Sequence, residues 1–345
     1  MRPETATAMF REAAEAPEVI ARQLDANRER MRRVGLALRE CPPRVVVTCA
    51  RGSSDHAATF ARYLIETRTG VLTASTPPSI SSVYAVRRDL RGVLFVAISQ
   101  SGASPDLVAA ARAAKEAGAR VLVLVNALAS PLAEAADHTI ALDAGVETSV
   151  AATKSYVATL AALLHLVAGW TADDELLAAL EESPGALARA WELDWSAALT
   201  ALEDVSNLYV LGRGLGLGAA EEAALKLKET CGMHAEGLSA AEARHGPMAL
   251  VRDGFPVVIF AQNDATQAGV LSIASEFAAH GARVLVAGGS SACGPDIALP
   301  LSDAHPAIEP MLFIQRFYRL ANALALARGL DPDHPPHLSK VTETV

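Results

Sequence analysis

Two groups of residues in this chain have the types and spacing to do chemistry. The first lies in Val96 to Asp106, "VAISQSGASPD", where the apolar run Val93–Ile98 stops at Ser99-Gln100-Ser101-Gly102 and Ser104-Pro105-Asp106 opens a helix. Small hydroxyls, an amide and a glycine at a strand end, aimed at a helix start, can hold an anion. The first-turn N–H groups carry positive partial charge and the hydroxyls add donors. Ser53-Ser54 repeat the arrangement after Ala50-Arg51-Gly52. A third edge is "ETSVAATKSYVATLAALL", Glu147 to Leu164, a loop with Thr148, Ser149 and Thr153 that runs into a long helix. Any one of these would pass as a polar loop with an ordinary cap. Together they point to a phosphate.

The second group is on "EEAALKLKET", where Glu222, Lys226 and Glu229 are spaced i, i+4 and i+7 and share a helix face. Spacing alone also fits a solvated stripe with an ion pair worth a few tenths of a kcal/mol. The stretch that follows holds His234, Glu236, Glu242 and His245-Gly246-Pro247, and carboxylates with an imidazole are the parts of general acid–base catalysis. His234 and His245 match no zinc spacing, so no metal is expected. His165, among leucines, reads as a core histidine. The proline-stiffened tail "DPDHPPHLSKVTETV" carries Lys340 near its end.

The elements that must position these groups follow from composition and period. The chain has 345 residues, 51% hydrophobic, 20% charged and 5% aromatic, enough for two domains with large cores. A formal charge of −9 offers no general field for nucleic acid or an anionic membrane, and no partner of either kind is expected. Neither a signal peptide nor a long apolar run is present, and Cys41, Cys49, Cys231 and Cys293 form no CxxC pair. A cytoplasmic protein with buried, reduced thiols is the expectation. Residues 8–40 read as helix, 45–48, 93–98 and 121–125 as buried strands, and 105–117 as a helix with Ser104 as N-cap, Pro105 at the first position and Gly118 at the stop. Apolar strands alternating with helices imply an α/β fold with parallel sheets covered on both faces.

The second half repeats the first. "VTCARGSS" is matched by "YVLGRGLG", "VLFVAISQSGA" by "FPVVIFAQNDA" and "AGARVLVLV" by "HGARVLVAG". Arg51 falls opposite Arg213, Gln100 opposite Gln262 and Gly118 opposite Gly281, at nearly constant offset. Two copies of one domain follow, joined by an acidic helical segment that Ser183-Pro184-Gly185 should break. The expected divisions are a helical segment at 1–40, domains at 41–170 and 206–330, a linker at 171–205 and a tail at 331–345. Ligands in such sheets sit beyond the carboxyl ends of the strands. There the first copy keeps Ser53, Ser54, Ser99, Ser101 and Ser104, while the second has Leu215, Gly216, Ala261, Asn263 and Asp264.

"ISQSG", "SVAATKS", "ALKLKE", "HAEG…E.RHGP.AL" and "HLSKVTET" occur in an order that resembles the double sugar-isomerase (SIS) family. That family includes the isomerase half of glucosamine-6-phosphate synthase and stand-alone amino-sugar-phosphate deaminases. The resemblance covers about residues 40–345 and implies two tandem flavodoxin-like or Rossmann-like domains. It implies that Ser53, Ser54, Ser99, Gln100, Ser101 and Ser104 hold the phosphate of a sugar-phosphate substrate, with Val150 and Ala152 of the "SVAATKS" loop beside it. Glu229 matches the family's proton-shuttling glutamate, Lys226 the lysine beside it, His245 the ring-opening histidine and Lys340 the lysine of the closing tail. It further implies a homodimer in which His245 serves the neighbouring subunit's site. Two departures stand out. No glutaminase domain or N-terminal nucleophilic cysteine is expected before Cys41, so the resemblance implies an ammonia-releasing deaminase without organic cofactor rather than a glutamine-dependent synthase. The alternatives are an aldose–ketose phosphate isomerase or deglycase, or a sugar-phosphate-sensing regulator. Pro336 stands where synthase tails have an arginine.

Overall fold

The computed structural model describes residues 3–289 and 296–340. Cys293 and the last residues of the "HLSKVTET" motif lie outside them. The chain divides into two compact units. The first comprises Glu18–Glu147, Lys154–Glu181 and the tail from Leu338; the second comprises the N-terminal residues to Pro17, Thr148–Thr153 and Glu182–His337.

In the first unit β1 (Val45–Cys49), β2 (Thr73–Ser75), β3 (Val93–Ser99), β4 (Arg120–Val125) and β5 (His138–Ala141) form one sheet in the order β2-β1-β3-β4-β5. Every pairing is parallel. β3 and β4 are buried along almost their whole length, as strands covered on both faces require. On one face Phe95, Ala97, Val121 and Val123 pack with Leu107, Ala111 and Ala114 of the helix Pro105–Glu116. The helix Ser53–Thr69 buries Phe60, Ala61 and Leu64. The helix Lys154–Thr171 is buried all round, and His165 lies within it, 6% exposed. Burial pushes the His165 imidazole down to about 4, a neutral core group.

In the second unit β6 (Asn207–Gly212), β7 (His234–Ser239), β8 (Pro256–Ala261), β9 (Arg283–Gly288) and β10 (Ile297–Leu299) take the order β10-β9-β8-β6-β7. This is the connectivity of the first sheet read from its other edge, again wholly parallel. Its core joins Leu211, Ile259 and Val284 to Val270, Ile273 and Phe277 of the helix Gln267–Ala279.

Three local expectations need correction. Residues 8–40 form two helices, Ala8–Ala14 and Ala16–Glu40, because Pro17 lacks the N–H that would continue the first ladder. Ser183-Pro184-Gly185 does not break the joining segment: the helix Asp174–Trp191 runs through Pro184. The cost of an internal proline, about 3 kcal/mol, is offset by burial of Leu176, Leu180, Leu187 and Ala190. Cys49 and Cys231 are buried free thiols, but Cys41, just past a helix end, is exposed.

Candidate active site

The strand-end loops of the first sheet are built as a cradle. Ser99 Oγ accepts from the Gly102 N–H at 3.0 Å and Ser101 Oγ from the Ala103 N–H at 3.3 Å, which winds the loop tightly before the helix Pro105–Glu116. Gly102 has φ +63°, and a Cβ there would collide with Ser130 and lie 2.9 Å from Val125 Cγ2, so the turn requires glycine. Ser104 occupies the N-cap position but makes no side-chain cap hydrogen bond. Ser53 and Ser54 are the first two residues of the helix Ser53–Thr69, entered through Gly52 at φ +54°. Arg51 joins the two loops: its guanidinium donates to Asp106 Oδ2 at 3.0 and 3.2 Å, and that carboxylate is buried. Further along the sheet edge, Gln100 O accepts from the Ala127 N–H and Gly102 O from the Leu132 N–H. Asn126 then bridges to the loop after β5, donating to Gly145 O at 2.8 Å and accepting from the Ala144 N–H at 2.9 Å.

That last loop ends at Glu147, whose side chain is fully buried. Its carboxylate accepts from the Ser155 N–H at 3.1 Å, the Ser155 hydroxyl at 2.8 Å and the Lys340 ammonium at 2.7 Å. Ser155 is in the first turn of the helix Lys154–Thr171. The phosphate-loop serines, Gln100 and Lys340 therefore all belong to the first unit.

Val150 and Ala152 do not. Their loop, Thr148–Thr153, belongs to the second unit. It is anchored there by Glu12, which accepts from Thr148 Oγ1 at 2.7 Å and the Ser149 N–H at 3.1 Å, and by the Val150 N–H on Asp333 O.

The second unit also carries the charged helix Gly216–Cys231. Its stripe is not solvated. Lys226 is fully buried between Glu222 at 3.2 Å and Glu229 at 2.6 Å; Glu222 is fully buried, while the Glu229 side chain stays 20% exposed. Tyr318 donates to Glu222 at 3.1 Å from the helix Glu309–Ala327. Burial by itself would lower the Lys226 pKa, but the Glu222 and Glu229 carboxylates outweigh it and raise it. Lys226 is therefore a fixed ammonium beneath an accessible carboxylate. His245 is exposed, in the turn after Glu242–Arg244, and its N–H donates to Glu242 O. His234 and Glu236 lie on the exposed side of β7, and no hydrogen bond or ion pair joins them to Glu229 or His245 among the described contacts.

Comparison with known proteins decides the family. The SIS domain signature matches residues 39–169 and 201–290. The chain belongs to the SIS domain family. A candidate phosphosugar isomerase from Silicibacter pomeroyi DSS-3 is 44% identical and superposes with a TM-score of 0.89 over 95% of this chain and 100% of that one. The C-terminal domain of glucosamine-fructose-6-phosphate aminotransferase from Francisella tularensis is 27% identical, with a TM-score of 0.85 over 96% of this SIS chain and 98% of its own. The isomerizing glutamine–fructose-6-phosphate aminotransferase of Thermococcus kodakarensis is 33% identical over 96% of this chain. The SIS chain spans 57% of that relative, and about half the length of the curated relatives it matches.

Several of the residues that organise the site escape sequence reasoning. In the sequence Glu147 sits in a loop with no chemical signature of its own, Asp106 has the pattern of a first-turn helix residue, and Tyr318 carries no local signal. Arg51 stands out only as a landmark of the repeat. A cavity of about 920 Å³ at the strand ends of the second sheet is lined in part by Asn263, Gln267, Asp303 and Glu309. Among the described residues its lining includes two carboxylates and neither lysine nor arginine, which disfavours an anion there. The strand-end loops of the first sheet instead carry serine hydroxyls and the Arg51 guanidinium. Cys49 and Cys231 are poor nucleophiles, since burial pushes their thiols up to about 12 and about 11.

Proposed function

We propose that this SIS protein is an isomerising amino-sugar-phosphate deaminase that converts glucosamine 6-phosphate and water to fructose 6-phosphate and ammonia. The observation that carries the reading is the accessible Glu229 carboxylate held at 2.6 Å by a buried ammonium. In the open-chain sugar the proton on C2 is acidic because the C1 carbonyl can take up the charge. Glu229 removes that proton and returns it at C1 while one proton passes from the C2 amine to O1, giving a ketose imine at C2. Water adds to the imine carbon, the C–N bond breaks, and ketose phosphate and ammonia leave. The route needs no metal or organic cofactor. Ser53, Ser54, Ser99, Gln100, Ser101 and Ser104 hold the phosphate, with Val150 and Ala152 against the substrate. His245 moves the proton that opens the ring, imidazole being a general acid–base group.

The 44% identity to a candidate phosphosugar isomerase favours one other reading, in which the same proton transfer ends at the ketose without loss of nitrogen. A panel of hexose and hexosamine 6-phosphates separates the two. Ammonia released in step with ketose from a hexosamine phosphate supports the deaminase, and ketose formed only from aldose phosphates replaces it with an isomerase. We further propose a homodimer with His245 supplied across the interface. Mixing an inactive Ser99→Ala/Ser101→Ala chain with an inactive His245→Ala chain should then restore part of the activity after subunit exchange. No recovery after confirmed exchange rejects the shared site.

A further inference from the structure

Glu147 is a fully buried carboxylate to which the proton-transfer scheme gives no task. It sits where the loop after β5 meets the helix Lys154–Thr171, and both its oxygens are engaged by Ser155, through the backbone N–H at 3.1 Å and the hydroxyl at 2.8 Å. The positive end of that helix favours a carboxylate at this point. Glu147 is thus oriented by groups of the folded sheet unit, whatever the tail does. Lys340 then brings its ammonium to 2.7 Å of Oε2 while its side chain remains 24% exposed. Taking a cation away from a buried carboxylate costs stability, so the socket favours the seated Lys340. The loop that carries the socket is tied through Asn126 to the end of β4, and the loop after β4 is tied to Gln100 and Gly102 of the phosphate cradle.

The geometry points to Glu147 as the positioning residue for the tail lysine, fixing the Lys340 ammonium on the same strand-end edge as the phosphate loops. This rests on the functional reading above only for what Lys340 does once it is held there. Glu147 acts through Lys340 and does not exchange protons with the substrate. Lys340 is thereby held by a carboxylate that the sheet unit itself orients.

The latch can be read without any turnover, because trypsin cleaves after lysine and releases residues 341–345 only when the Lys340 side chain leaves its partner. In the full chain, Glu147→Gln should accelerate that cleavage at least about tenfold by mass spectrometry, since cleavage follows the population of the open form. Glu147→Asp, which keeps the charge, should recover part of the protection. An unchanged rate in Glu147→Gln overturns the proposal. Should that variant fail to fold by circular dichroism, Ser155→Ala carries the test, with faster cleavage than wild type supporting the socket and an equal rate overturning it. In turnover, Glu147→Gln should lower kcat at least about tenfold, and the Glu147→Gln/Lys340→Met pair should be no worse than Lys340→Met alone. Additive losses overturn a role exerted through Lys340. If the wild type turns over no sugar phosphate, the functional reading fails while the trypsin result still decides the latch.

Discussion

The ends of β3 and β8 occupy the same place in two sheets of identical connectivity, yet they are electrostatic opposites. After β3 the chain presents Ser99, Ser101 and Ser104 around Gly102, with the Arg51 guanidinium nearby on Asp106. After β8 the residue in register with Ser101 is Asn263, and its N–H donates at 2.7 Å to the buried Glu309 carboxylate. Asp264 stands in register with Gly102 and accepts from the Thr266 N–H and hydroxyl at 2.7 and 2.6 Å. The second copy therefore supplies its own carboxylates to the backbone donors at this strand end. Burial pushes Glu309 up to about 7, with Asp264 and Asp303 adding to the rise and the Asn263 N–H opposing it. The difference teaches that the fold gives the strand-end site and the side chains decide whether it is open to substrate or filled by protein. The second copy also carries the buried charges of the helix Gly216–Cys231.

The sharpest break of this division of labour is at the base. Glu229→Gln keeps shape and loses the carboxylate, so kcat should fall at least about a hundredfold, while inhibition by inorganic phosphate is unchanged. Near-normal turnover would return Glu229 to a structural role beside Lys226. Next comes the paired test of the two strand ends. Ser101→Ala removes a charge-assisted hydrogen bond and should raise KM by about tenfold to a hundredfold, whereas Asn263→Ala should leave KM alone. Equal effects at the two positions would erase the contrast.

The smallest effect concerns stability and pH. The folded pKa of Glu309, about 7, lies above its unfolded value near 4.5. Its contribution is fully present below about pH 4.5 and is lost as pH rises through about 7, because the unfolded chain releases that proton more readily. Glu309→Gln can still accept from the Asn263 N–H without this loss. The variant should gain up to about 3 kcal/mol over the wild type at pH 8, seen as a Tm higher by a few degrees, and the gain should vanish at pH 4.5. A pH-independent difference would mean that packing, not ionisation, governs the site.

The fold was legible because its signals are local or periodic. Strands apolar on both faces, Pro105 and Gly118 bounding a helix, and the constant offset from Arg51 to Arg213 and from Gln100 to Gln262 predict two parallel sheets, and two parallel sheets are found. The hydroxyl-rich strand-end loops were legible for the same reason, since a serine-rich strand end before a helix is a contiguous feature. Where sequence reasoning failed, the deciding energy came from outside the segment. Pro184 is a local breaker, but the buried leucines on either side hold the helix through it. Glu222, Lys226 and Glu229 have the spacing of a solvated stripe, and only packing that includes Tyr318 of another helix makes them a buried charge cluster.

The sequence by itself determined where strands and helices run, that the chain is a doubled α/β fold, and which copy keeps hydroxyls at its strand ends. These follow from hydrophobic period, turn chemistry and repeat register, which are properties of contiguous residues. Only the tertiary structure decided which charges pair. Lys340 seats on Glu147, 193 residues away in sequence, Arg51 reaches Asp106, and Glu309 fills the second copy's donors. A buried charge must find its counter-ion wherever the fold brings one, and no local pattern names that partner.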